Sequence, residues 1–201
     1  MAYPDFFALV PPLRLYDPLA GMLAAADEGL LEYFYRDAVK LAGHSCPTVA
    51  GAWLMCRHAL TRLYGDEMPL RGGIRVELRD RQDAGVAGVV GTVIGLLTGA
   101  AGEGGFKGIN GVQYRKDLLC YGVDMAGEVR FTRLDSGDSV EVSYNPASVA
   151  MGDGQPELMK KCFSGQATDA ERRVFGPLWQ DRVRRILLEH GDDPEVVQVM
   201  S

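Results

Sequence analysis

Residues 84–101, AGVAGVVGTVIGLLTGAA, carry no charged side chain over eighteen positions. Such a run either crosses a membrane or lies inside a folded domain. Its length only just reaches the roughly 20 residues of a spanning helix. It is rich in glycine and alanine, and neither flank carries a basic cluster. The stretch therefore reads as a buried central element, with Gly88, Gly91, Gly95 and Gly99 admitting close approach by other backbones. Val86, Val89, Val90, Val93 and Ile94 favour a strand and the length favours a helix; the length decides, and a helix is predicted over 84–99.

A buried element of that size needs a sizeable core around it, and 201 residues can supply one. With 47% hydrophobic and 24% charged residues, the chain has the make-up of a soluble globular protein. A formal net charge of −6 argues against nucleic acid as a partner, and RVRR at 182–185 is the nearest approach to a basic block. Cys46, Cys56, Cys120 and Cys162 show no paired spacing. Met-Ala-Tyr-Pro-Asp has neither the basic nor the apolar region of a secretory leader. Reduced thiols in a cytoplasmic protein without a membrane partner are expected.

Tyr16 to about Ala42 reads as mostly helical, with Asp17 as cap, Pro18 at the first helical position and Gly29 as a point where it can break into two helices. Val49, Ala52, Trp53, Cys56, Ala59, Leu60 and Leu63 keep three-four spacing, which predicts a helix from Pro47 to about Tyr64. Strands are predicted at Ile74–Leu78, Leu118–Tyr121, Glu128–Leu134 and Ser139–Tyr144, the last two joined by the turn Asp135-Ser136-Gly137-Asp138. Between the central element and these strands runs a glycine-rich loop, GAAGEGGFKGINGVQYRKD, of the kind that is usually functional or mobile. Helices follow at 156–163 and, behind a Thr168–Glu171 capping box, up to about His190. The fold class is α+β: a small mixed or antiparallel sheet flanked by helices, with helical N- and C-terminal extensions. Residues 1–150 are expected to form the core with its N-terminal extension. Residues 151–201 are expected to form a helical extension packed on the core or on a dimer partner.

The segment Gly-His-Ser-Cys-Pro at 43–47 carries the most chemistry. Proline at the first helical position makes Cys46 the N-cap, its sulfur beside unpaired amides and the positive end of the helix dipole. His44, two residues earlier, is expected to point the same way. The pair suits zinc or another borderline metal. It equally suits a thiolate–imidazolium pair, or else Cys46 is a plain cap beside a partly buried histidine. His58 is expected on the solvated side of its helix, and Cys56 and Cys162 as inert structural thiols.

Cys120 follows the glycine-rich loop directly, a normal place for a site residue. Lys107, Tyr114 and Asp117 in that loop offer a cation, a phenol and a carboxylate. GEGGFKGI lacks the Gly-Lys-Ser/Thr of a phosphate loop, and no Cys-x-x-Cys pair or Gly-x-Ser-x-Gly elbow is present.

GHSCPTVAGAWLM at 43–55, TG at 98–99, GGFKG at 104–108 and RKDLLCYG at 115–122 together resemble the FmdE-like family of formylmethanofuran dehydrogenase components. The resemblance covers roughly residues 35–145 and is most specific in GHxCP. Thr48 departs from it, standing where the family motif has glycine, and the C-terminal cysteine pairs of some members are absent. It implies an α+β core domain that forms homodimers, binds zinc, and serves an accessory or catalytic role in C1 or redox metabolism. It carries over His44 and Cys46 as the site. A catalytic zinc needs three protein ligands and an open position. His44, Cys46 and Cys120 would complete that count, with Cys46, Lys107 and Tyr114 as the catalytic candidates and an anionic small molecule bound near the loop. Two alternatives stand beside this reading: a haem carrier or sensor with Cys46 or His44 as axial ligand, and a metal-free thiol enzyme with Cys46 as nucleophile.

Overall fold

A computed structural model describes residues 3–200; Met1, Ala2 and Ser201 lie outside the described residues. The chain opens with a 3-10 turn, Asp5–Leu9, and then an antiparallel hairpin, β1 (Leu13–Tyr16) with β2 (Leu30–Tyr33). The span expected as mostly helical thus begins with strands around one short helix, α1 (Pro18–Met22), and is α-helical again only over Tyr35–Ala42. The start of α1 is as expected: Pro18 sits at N1 and the Asp17 carboxylate accepts from the amides of Leu19 at 2.9 Å and Ala20 at 3.2 Å. Left-handed backbone at Ala24, Glu28 and Gly29 then ends it and turns the chain back into β2.

Helix α2 (Tyr35–Ala42) stops at Gly43, which takes the left-handed conformation, and α3 (Pro47–Tyr64) begins four residues later. Strand β3 (Ile74–Leu78) and helix α4 (Ala87–Thr98) follow, and the uncharged run is helical as its length required. Val90, Val93, Ile94 and Leu97 of α4 are all buried, each contributing about 1.5–3 kcal/mol. Gly91 meets the Tyr121 hydroxyl, which a β-carbon would approach to 2.2 Å. Among the described residues no helix is long and apolar enough to cross a membrane.

Strands β4 (Leu119–Tyr121), β5 (Val129–Arg133) and β6 (Ser139–Tyr144) continue the chain. Helices α5 (Gln155–Phe163) and α6 (Asp169–Arg184) come next, α6 running on through a π-helical turn to Glu189. The end of the described chain, Val197–Met200, is a further strand, β7. The segment expected as a purely helical C-terminal extension therefore also adds a strand to the central sheet. That sheet has five strands in the order β4-β3-β5-β6-β7, with β3 and β4 parallel and the other neighbours antiparallel.

Ile74, Val76, Val129, Phe131, Val140 and Val142 are buried, in the every-other-residue pattern of a half-buried sheet. Helix α3 packs on β5, β6 and β7, and α4 on β3. This α+β fold is one helix layer on one mixed sheet, with the GHSCP segment where that layer begins.

The glycine-rich loop is ordered by one buried residue. Arg115 donates to Asp17 at 3.0 Å and Arg71 does so at 2.9 Å, so a single carboxylate ties the loop and β3's approach to the N-terminal hairpin. Ahead of Arg115 the loop folds into a tight reversal, Ile109 paired with Val112 across Asn110-Gly111.

Candidate functional site

The GHSCP segment is pinned at its middle. The Ser45 hydroxyl lies 3.1 Å from the buried Tyr35 hydroxyl. The Ser45 carbonyl accepts from the Trp179 indole at 2.9 Å and the Gln180 amide at 3.1 Å. Held in this way it is not a strand, and its two neighbours part. His44 is exposed, with Nδ1 2.9 Å from the Ala42 carbonyl. Nδ1 as donor leaves Nε2 as the acceptor, a tautomer assigned from that contact. It rims a depression of about 160 Å³ against Gly88, Val89 and Thr92 of α4.

Cys46 is the N-cap of α3 with Pro47 behind it, as the sequence indicates, but it is buried in the core and its side chain makes no cap bond. No hydrogen bond joins Cys46 to His44 among the described residues.

The other candidates lie elsewhere. Cys120 is half-exposed on the edge strand β4. Its sulfur is 3.7 Å from the Arg75 guanidinium, and its S–H points to the Asp117 carbonyl at 3.7 Å. Lys107 and Tyr114 are exposed on the glycine-rich loop and line neither the His44 depression nor the cavity described below. Among the described residues no three His, Cys, Asp or Glu side chains gather to hold a metal. His44 lies in solvent, Cys46 in the core and Cys120 at the sheet edge.

Cys56 is inert as expected: full burial pushes its thiol up. His58 is not solvated. It lies half-buried, 2.7 Å from the Gly191 carbonyl, and fastens α3 to the turn after α6.

Tyr144, whose phenol feels the charge of Cys46, belongs to a set of groups that sequence patterns do not single out. The Tyr144 ring lies on Gly51, one turn into α3, where a β-carbon would come within 2.3 Å of two ring carbons. The Tyr144 hydroxyl is buried and has no hydrogen-bond partner among the described residues. Burial pushes this phenol up; the Arg182 charge opposes that, while Tyr35, Cys46 and Glu128 add to it. Arg182 is itself buried, its proton weakened by desolvation, and it donates to the carbonyls of Val149 at 2.9 Å and Pro146 at 2.6 Å.

Glu128, just before β5, accepts from the Tyr144 amide at 3.2 Å. Burial raises its pKa above the ordinary carboxylate value, and Asp80 adds to this while Arg79 and the amide bond oppose it. Glu128 and Tyr144 both line a cavity of about 590 Å³ whose other walls include Ser143, Asn145, Glu195 and Gln198; no Lys, Arg or His lines it. A carboxyl group whose proton burial holds more tightly, a buried phenol, and hydroxyl and amide side chains equip this cavity to bind a polar ligand and exchange a proton with it.

One sequence signal points here: glycine at position 51, inside a helix, costs about 1 kcal/mol against alanine and marks close approach by another group.

No known family model, no curated protein and no solved structure matches this chain.

Proposed function

We propose that this chain binds a small polar ligand in the cavity of Glu128 and Tyr144, with Glu128 as the group that takes or returns a proton. The buried Tyr144 hydroxyl carries this reading: it has no partner in the described chain and it belongs to a residue lining the cavity. An unsatisfied buried hydroxyl costs about 1–3 kcal/mol, a cost that a ligand would remove by reaching it through a shift of the cavity wall. Two carboxylates and no base in the lining favour a ligand that is cationic or rich in hydroxyl groups.

The test is a thermal-shift panel of small amines, polyols and carboxylates against wild type, Glu128→Gln and Tyr144→Phe. Amines or polyols should raise the wild-type Tm, and both variants should respond more weakly. A panel in which nothing raises the Tm, or in which the variants respond as the wild type does, overturns the reading.

A metal at GHSCP is the second reading, and the orientation of His44 supports it: ligating histidines commonly give their other ring N–H to a carbonyl. His44 and Cys46 would be the protein's contribution, zinc or another divalent transition metal the ion, and a second copy of the chain or a bound ligand the source of further donors. An accessory role of the FmdE type rests on the quoted motifs. Elemental mass spectrometry of untagged wild type beside His44→Ala and Cys46→Ser decides it. Near-stoichiometric metal lost in both variants supports the reading; folded wild type without metal removes it.

A further inference from the structure

A second cavity, of about 440 Å³, lies between the first 3-10 turn and the start of α2. Its volume is within the range of about 300–1,000 Å³ typical of small-molecule sites. Tyr3, Phe7 and Phe34 give it aromatic walls. The wall is anchored in the core. Phe7 is buried and stands edge-on to Tyr35 at 5.1 Å, and Tyr35 stands edge-on to Trp53 at 5.9 Å. Phe7 is therefore fixed before any ligand arrives, which lowers the entropy lost on binding.

Two charged side chains line the same cavity. The Arg36 guanidinium lies 4.9 Å over the Phe34 ring, held by a cation–π contact rather than by a carboxylate. The Asp5 carboxylate has no hydrogen bond or ion pair among the described residues. Arg36 and Asp5 do not pair with each other, although both face one aromatic-walled space. A positive group, a negative group and an apolar slot together match a molecule carrying the opposite charges on an apolar body. An anion alone would leave Asp5 unmatched, and a cation alone would leave Arg36 unmatched.

We propose that this cavity is a binding site for a zwitterion with an aromatic body, of the class of the aromatic α-amino acids. The ligand carboxylate meets Arg36, its ammonium meets Asp5, and its ring enters between Tyr3, Phe7 and Phe34. Nothing in this proposal depends on the Glu128 cavity.

Calorimetric titration of the full chain with L-phenylalanine, phenylacetate and phenethylamine tests it. One molecule of phenylalanine should bind per chain, with each single-charge analogue at least tenfold weaker. Arg36→Gln should weaken phenylalanine and phenylacetate at least tenfold and leave phenethylamine unchanged; Asp5→Asn should do the reverse with respect to the two analogues. Both side chains are exposed, so the variants should keep the wild-type Tm. Glu128→Gln should leave all three affinities unchanged, which separates this site from the one proposed above. Absence of saturable phenylalanine binding overturns the inference. So do analogues that bind as tightly as phenylalanine, or variants that change none of the affinities.

Discussion

The Tyr144 ring rests on the α-carbon of Gly51, a contact with no room for even one methyl group. It joins the sheet to the first turns of α3 and leaves a phenol hydroxyl buried within the electrostatic reach of Cys46 and Glu128. That single contact sets both the packing and the chemistry of the candidate site.

Gly51→Ala should therefore destabilise the protein although alanine is the better helix former. The propensity gain is about 1 kcal/mol, and the forced displacement of a ring against β6 costs about 1–3 kcal/mol. Urea denaturation should show a net loss of up to about 2 kcal/mol. Tyr144→Phe should show no loss, because the hydroxyl removed has no partner to miss it.

Glu128 makes stability depend on pH in a defined direction. Its folded pKa is raised by burial, so its stabilising contribution is complete below the ordinary glutamate value and is lost as pH rises through the folded value. Wild type should lose stability relative to Glu128→Gln across that window, as read from Tm measured at a series of pH values. A difference that does not change with pH contradicts the assignment.

Asp17 behaves in the opposite way. Burial alone would raise its pKa, but the hydrogen bonds from Arg71 and the Ala20 amide, with the charge of Arg115, hold it below the ordinary value. Its contribution is present above the ordinary aspartate value and is lost as pH falls through the folded one. Asp17→Asn strands two guanidinium groups around a nearly buried site and should cost about 3–5 kcal/mol near neutral pH. The gap between wild type and variant should narrow in acid.

Thiol titration separates the four cysteines by burial. Cys120 and Cys162 are half-buried, and Cys46 and Cys56 are buried. An aromatic disulfide reagent should label Cys120 and Cys162 in the native protein and the other two only in denaturant. Fast native labelling of Cys46 would contradict its placement in the core.

The elements most legible in the sequence are those with strong local signals. The three-four stripe and Pro47 give α3 its bounds, and the alternation of Ile74–Leu78 gives β3. Asp17 and Pro18 read correctly as a cap, yet the helix they start lasts five residues, because left-handed backbone at Ala24, Glu28 and Gly29 and the pairing of β1 with β2 override the apolar periodicity. Strand β7 leaves no clear pattern because it is short and acquires its identity from β6. At the site, Pro47 places Cys46 correctly at the helix N-terminus, but spacing can only suggest partners that lie close by in the chain. Tyr144, Glu128 and Arg182 reach it only through the sheet and α6, and no spacing rule relates them to GHSCP.

The cavity wall formed by Glu195 and Gln198 has a consequence in time. A ribosome delivers Tyr144 roughly fifty residues before Gln198, which at about 5–20 residues per second is a delay of roughly 3–10 seconds. Through that interval the sheet through β6 can form with its outer edge open and the floor of the cavity in water. The site is thus completed only after strands β3 to β6 have been made, and a nascent chain can hold that part of the sheet before it is able to bind anything there.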